Sequence, residues 1–278
     1  MRLERRAYAK INWMLSVTGR RDDGYHTLDM LTQRISLADT LTFETDDRLT
    51  LEMTGLPISG DVGGNLVFRA ARLLGGSSFG ARISLLKEIP TGAGLGGGSS
   101  DAACALLALN ELWDLRLPLE RLMELALQLG ADVPYFLQNG PMRLRGIGEI
   151  MTPFAPGRRK ELVLLQPCEG LSTPEVYRLY DRLPAQAFSA EQAMQALSRD
   201  DLAALSAVGG NSLYPAALSL RPELREGLDQ LRKEGAEYAA MTGSGSVVYG
   251  VFSDQKSADR ACSALYERFG WARRAHTL

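Results

Sequence analysis

The chain has 278 residues, 45% of them hydrophobic and 23% charged, with a formal charge of −2. Such values describe a globular protein with ample length for a core, and they exclude a polyanion-binding surface or a long disordered tail, so nucleic acid is not an expected partner. Cys104, Cys168 and Cys262 are scattered without a C-x-x-C pair and point to reduced thiols in a cytoplasm; with only His26 and His276 besides, no metal site is expected, and no stretch has the apolar length of a membrane helix.

Residues 7–17 alternate apolar and polar, which predicts a strand with Lys10 and Asn12 on its less apolar face. Taken alone, Lys10 reads as a solvated strand residue. A charged turn between Gly19 and Gly24 delivers Tyr25 and His26 to further strands near 28–37, 40–44 and 49–53. A Gly/Pro/Asp loop follows at 55–64. Asn65 is placed to cap a helix that closes at Gly75 and Gly76, and 82–87 is again strand-like.

That strand ends at Lys87 and leads into Pro90, Thr91, Gly92, Ala93, Gly94, Leu95, Gly96, Gly97, Gly98, Ser99 and Ser100, with five glycines in the seven residues from Gly92 to Gly98. Glycines let successive N–H groups turn toward a bound anion, and a helix start adds its unpaired N–H groups and positive dipole end. Ser99 and Ser100 fit the N-cap of the buried helix expected over 102–113. The window also contains Gly92-x-Gly94-x-x-Gly97, but a dinucleotide fingerprint should close a strand and open a helix directly, whereas Pro90 intervenes here. A P-loop is disfavoured because no Gly-Lys-Ser or Gly-Lys-Thr follows.

A helix over 118–129 ends at Gly130. Pro134 should then hold Val133 extended and aim Asp132, whose residue-level reading is a helix cap. Short strands are expected within 143–150, and the Pro-rich, basic stretch 153–160 marks a boundary, giving domains 1–155 and 156–278. The second half reads as strand 161–165, helices within 174–208, helix 222–234, strands 237–241 and 247–252, helix 254–269 and a strand near 271, a split βαβ arrangement. Thr242-Gly243-Ser244-Gly245-Ser246 joins its middle strands as a hairpin small enough to approach a ligand or another glycine loop.

Ala9-Lys10-Ile11-Asn12, Asp23-Gly24-Tyr25-His26-Thr27-Leu28, the loop from Pro90 to Ala103, Leu129-Gly130-Ala131-Asp132-Val133-Pro134 and Thr242-Gly243-Ser244-Gly245 together resemble the GHMP superfamily of small-molecule kinases. Tyr8 departs from the proline usual before Ala-Lys, and Gly64 from the acidic residue common before Asn65. The resemblance implies an α+β protein with a ribosomal-S5-like N-terminal domain and a ferredoxin-like C-terminal domain. It also implies ATP with Mg²⁺, its phosphates on Pro90 to Ser100 and its nucleoside flanked by Asn65 and Lys87. Asp132 would orient the acceptor hydroxyl and take its proton, with Lys10 as the catalytic cation.

More narrowly, the resemblance is to members whose acceptor is a cytidine diphosphate-linked polyol, phosphorylated on the 2-hydroxyl of 4-diphosphocytidyl-2-C-methyl-D-erythritol in the non-mevalonate isoprenoid route. Tyr25, His26 and Tyr177 would then clamp the cytosine, with Asn12 near the diphosphate. The implied protein is cytoplasmic, a monomer or weak homodimer. Two rivals share the fold: a kinase acting on homoserine, mevalonate or a sugar, and a nucleotide sensor without catalysis.

Overall fold

The structure, a computed structural model, describes residues 1–57, 61–76 and 78–278. The centre of the loop expected at 55–64, residues 58–60, lies outside the described residues. The chain divides into two compact units: Met1–Ala9, Ala38–Thr91 and Gly96–Asn139 form one, and Lys10–Leu37, Gly92–Leu95 and Gly140–Leu278 the other.

Two long strands, β1 (Arg2–Arg20) and β2 (His26–Thr45), contribute residues to both units. β2 is continuous where the sequence suggested strands near 28–37 and 40–44; Asp39, between them, is fully buried and bonded to Lys87. In the first unit β2 pairs antiparallel through Thr40–Thr45 with β4 (Ala81–Lys87), and β3 (Leu49–Gly55) lies parallel to β4. Between β3 and β4 runs α1 (Leu66–Gly75), capped as expected by the Asn65 side chain, which accepts from Val67 N at 2.8 Å.

The buried centre of this unit is α2 (Gly97–Leu112), apolar on nearly every side, with α3 (Leu119–Leu129) and α4 (Val133–Leu137) packed on it. Two expectations are corrected here. α2 begins at Gly97 with Gly96 as its N-cap, so Ser99 and Ser100 lie inside its first turn. Val133 is helical, since Pro134 falls in the first turn of α4, where its missing N–H costs no helical bond.

In the second unit β2 pairs through Leu28–Thr32 with β5 (Met142–Gly146), which pairs with β6 (Ile150–Pro153). Downstream come β7 (Glu161–Leu165), α5 (Thr173–Tyr180), α6 (Ala190–Ser198), α7 (Leu202–Val208), α8 (Tyr214–Leu220), α9 (Glu223–Lys233), β8 (Tyr238–Met241), β9 (Val248–Phe252), α10 (Gln255–Phe269) and β10 (Ala272–His276). The sheet order β10-β7-β9-β8, antiparallel throughout, with α9 and α10 packed on it, is the ferredoxin-like arrangement the split βαβ reading called for. α8 was not among the expected helices; its Pro215 lies in the first turn, where proline is tolerated.

Candidate active site

In the second unit the glycine loop takes one conformation that its sequence explains. Gly92, Gly94 and Gly96 have φ of 64°, 74° and 71°, alternating with Ala93 and Leu95, which are buried. Alternation of left-handed and ordinary backbone curls successive N–H groups to one side as an anion-binding nest. The carbonyls point elsewhere. Gly92 O accepts from Leu171 N at 3.0 Å, Ala93 O from Val247 N at 3.2 Å, Gly94 O from Thr242 Oγ1 at 3.2 Å and Leu95 O from Lys10 N at 2.9 Å. With those oxygens committed to protein donors, an anion at the loop meets N–H dipoles.

The chain re-enters the first unit at Gly96, whose carbonyl accepts from Ser100 N at 2.9 Å. Gly96 at the N-cap offers no side-chain acceptor, and the N–H groups of Gly97, Gly98 and Ser99 precede the first intrahelical bond. The Ser100 hydroxyl donates to Tyr8 O at 2.8 Å and is buried, whereas Ser99 is half-buried. Asn65 is also half-buried, its side-chain oxygen engaged in the cap of α1.

Lys87 departs from the expectation of a nucleoside contact. Its side chain is 3% exposed and its ammonium is bonded to Asp39 Oδ2 and, at 2.7 Å, to Asp101 Oδ2. Burial acts to lower the Lys87 pKa, but the two carboxylates outweigh it and hold the group above its ordinary value. Burial pushes the Asp101 carboxyl up to about 8, opposed by the Lys87 ammonium and reinforced by Asp39. Asp39 also accepts the N–H groups of Glu88 at 2.6 Å and Ile89 at 2.9 Å, so both of its oxygens are engaged. Asp101, inside the first turns of α2, thus points into the protein.

Asp132 precedes α4 in an exposed position, and its side chain makes no capping bond. The cap reading therefore has no support among the described residues.

Lys10 and Asn12 do share one face of β1, but that face is buried, not solvated. Asn12 Oδ1 accepts from Lys10 Nζ at 2.7 Å and from Gly243 N at 3.0 Å, while Nδ2 donates to Thr32 Oγ1 at 2.9 Å. Its amide thereby fixes the Lys10 ammonium and the 242–246 turn. That turn rests on the glycine loop: a Cβ on Gly94 would collide with the Thr242 carbonyl, and one on Gly243 would lie 2.8 Å from Gly94 Cα. Asn211, missed by sequence reasoning, clips the turn by donating to Gly243 O at 2.8 Å and Met241 O at 3.0 Å.

His26 and Tyr177 are brought together, rings stacked with centroids 4.7 Å apart, while Tyr25 is 60% exposed. His26 Nε2 lies 2.6 Å from Asp181 Oδ1, and Arg20 reaches the other carboxylate oxygen at 3.3 Å. Asp181 was also missed, and nothing in its local sequence marks it.

Two family models match this chain, GHMP kinases N terminal domain over residues 65–140 and GHMP kinases C terminal over 191–270. A 4-diphosphocytidyl-2-C-methyl-D-erythritol kinase of Pelotomaculum thermopropionicum is 43% identical over 270 residues, covering 94% of this chain and 93% of its own. The chain belongs to the GHMP kinase family. A second kinase of the same name, from Moorella thermoacetica, is also 43% identical, over 95% of this chain and 94% of its own. A crystal structure of 4-(cytidine 5'-diphospho)-2C-methyl-D-erythritol kinase superposes on this GHMP kinase with a TM-score of 0.84 at 39% identity, covering 99% of both chains. Homoserine kinase from Cytophaga hutchinsonii superposes at 0.71 with 18% identity, over all of this chain and 94% of its own, a likeness of fold alone.

Proposed function

We propose that this GHMP kinase transfers the γ-phosphoryl group of ATP to the 2-hydroxyl of 4-diphosphocytidyl-2-C-methyl-D-erythritol, a step of the non-mevalonate route to isoprenoids. The observation that carries the reading is the near-full-length identity of 43% to kinases of that name. The nest at Gly92–Gly96 supports it, since phosphoryl transfer asks a protein chiefly for positioning and charge stabilisation.

Gly92 to Ser100, led in by Pro90 and Thr91, receive the phosphates on backbone N–H groups, and Asn65 lies toward the nucleoside. Mg²⁺ takes mostly phosphate and water oxygens and, when bound, neutralises charge on the phosphates. Of the two serines, Ser99 would be the one to hold it, because the Ser100 hydroxyl is bonded to Tyr8 O. Asp132 orients the acceptor hydroxyl and receives its proton, a role open to an exposed carboxylate without a capping bond. Lys10, fixed by Asn12, supplies the positive charge that favours the developing alkoxide. Tyr25, His26 and Tyr177 receive the cytosine, and Asn12 acts on the site through Lys10.

In chain order, 1–155 carries the phosphate loop and 156–278 the ferredoxin-like half. Free thiols at Cys104, Cys168 and Cys262 agree with a cytoplasmic enzyme, and among the described residues no helix is long and apolar enough to cross a membrane. A phosphotransfer assay with ATP against cytidylyl, sugar, amino-alcohol and mevalonate acceptors tests the reading. Turnover should be confined to the cytidylyl polyol; preference for any other acceptor overturns it.

A further inference from the structure

Three segments of the first unit converge on one buried cation. Lys87 is the last residue of β4, Asp39 belongs to β2 and Asp101 is the fifth residue of α2. Asp39 Oδ2 and Asp101 Oδ2 both hold the Lys87 ammonium, and Asp39 Oδ1 takes the two N–H groups that follow the strand, Glu88 at 2.6 Å and Ile89 at 2.9 Å. A Cβ on Gly97 would lie 3.3 Å from Lys87 Nζ and 2.8 Å from Ile89 Cγ2, so the first residue of α2 sits directly on this cluster. Asp101 Oδ1, also buried, has no hydrogen-bond partner, which leaves Lys87 as the group that compensates this carboxyl.

We propose that Lys87 is a positioning residue: by bridging Asp39 and Asp101 it fixes where α2 begins, and with it the N–H groups of Gly97, Gly98 and Ser99 that receive the triphosphate, without touching the nucleobase. This rests on the reading of the glycine loop as a triphosphate site. Removing the ammonium leaves two buried carboxyl groups facing one another with no cation between them, a state relieved by moving one of them away. Asp101 is the one carried on the helix start, so the helix start is what moves. Misplaced N–H groups then serve every triphosphate equally badly, whatever base it bears.

The test is calorimetric titration of the full chain with ATP, with GTP and with inorganic tripolyphosphate, each with Mg²⁺, beside steady-state KM for the acceptor. Lys87→Met is expected to weaken all three ligands by one common factor of about 10-fold or more, the size typical of losing a charged hydrogen bond, while the acceptor KM stays unchanged. Adding Asp101→Asn, which removes one of the two facing carboxyl groups, is expected to restore most of that loss. A loss confined to ATP with tripolyphosphate unaffected would place Lys87 against the nucleoside and overturn the proposal, as would unchanged binding of all three or a double variant with no recovery. Where Lys87→Met alone fails to fold, the double variant is compared with Asp101→Asn across the same ligands: equal affinities for all three support the bridge, and a base-selective loss overturns it. Wild-type protein that binds none of the three would instead overturn the triphosphate reading itself.

Discussion

Thr242 and Gly94 are held against each other twice. The threonine hydroxyl donates to Gly94 O at 3.2 Å, and the threonine carbonyl occupies the space a side chain at 94 would need. Because φ at Gly94 is 74°, any other residue there also meets backbone strain. Gly94→Val should therefore abolish measurable ATP binding in calorimetry while acceptor binding survives. Thr242→Val keeps the shape but removes both this donor and the acceptor of the buried Asn12 N–H at 3.1 Å, and should cost about 1–3 kcal/mol of stability by urea unfolding.

Asp132→Asn and Lys10→Ala are each expected to lower kcat by about 10²-fold or more with ATP affinity little changed, since a general acid or base is typically worth that much. Stopped-flow or steady-state rates beside ATP titration check this. Asp132→Asn turning over at the wild-type rate would remove the residue from the chemistry.

His26 holds Tyr177 on its ring face and Asp181 at its edge. Tyr177→Ala or Tyr25→Ala should weaken acceptor binding by about 5- to 150-fold, the worth of one base–aromatic stack, and leave ATP binding intact. Asp181→Asn, which loosens the imidazole without removing a ring, should raise the acceptor KM with kcat preserved. Equal changes in kcat and in ATP affinity would contradict the assignment of these rings to the acceptor.

Asp101 binds its proton more tightly in the folded protein than in the unfolded chain, its pKa raised from 3.8 to about 8 by burial, with the Lys87 ammonium opposing and Asp39 adding to the rise. A raised pKa contributes stability that is complete below pH 3.8 and is lost as the pH climbs through about 8. Relative to Asp101→Asn, the wild-type protein should thus lose stability steadily from about pH 5 to about pH 8.5 in urea titrations. A difference that stays flat or rises over that window would show that Asp101 is ionised throughout.

Features set by neighbours in the chain were legible beforehand. The period of two in β1, the Asn65 cap and the order of elements that yields the ferredoxin-like sheet each depend on residues a few positions apart. Features set by distant partners were not. The burial of Asp39 was not legible because Lys87, its partner, lies 48 residues away, and the hold of Asn12 on the 242–246 turn was not because Gly243 lies 231 residues away. The start of α2 was misplaced for a different reason. A serine pair is the usual cap, but here the cap position is Gly96 in a left-handed conformation, which leaves the first-turn N–H groups without a side-chain acceptor.

The most direct test of the account is ³¹P NMR of a reaction holding the wild-type protein, ATP, Mg²⁺ and equal amounts of 4-diphosphocytidyl-2-C-methyl-D-erythritol and its free polyol. The account predicts one new phosphomonoester signal on the cytidylyl acceptor, its diphosphate intact, for each ADP formed, and no phosphorylation of the free polyol. Phosphorylation of the free polyol at a comparable rate, or ADP formed without any acceptor phosphate, would contradict it.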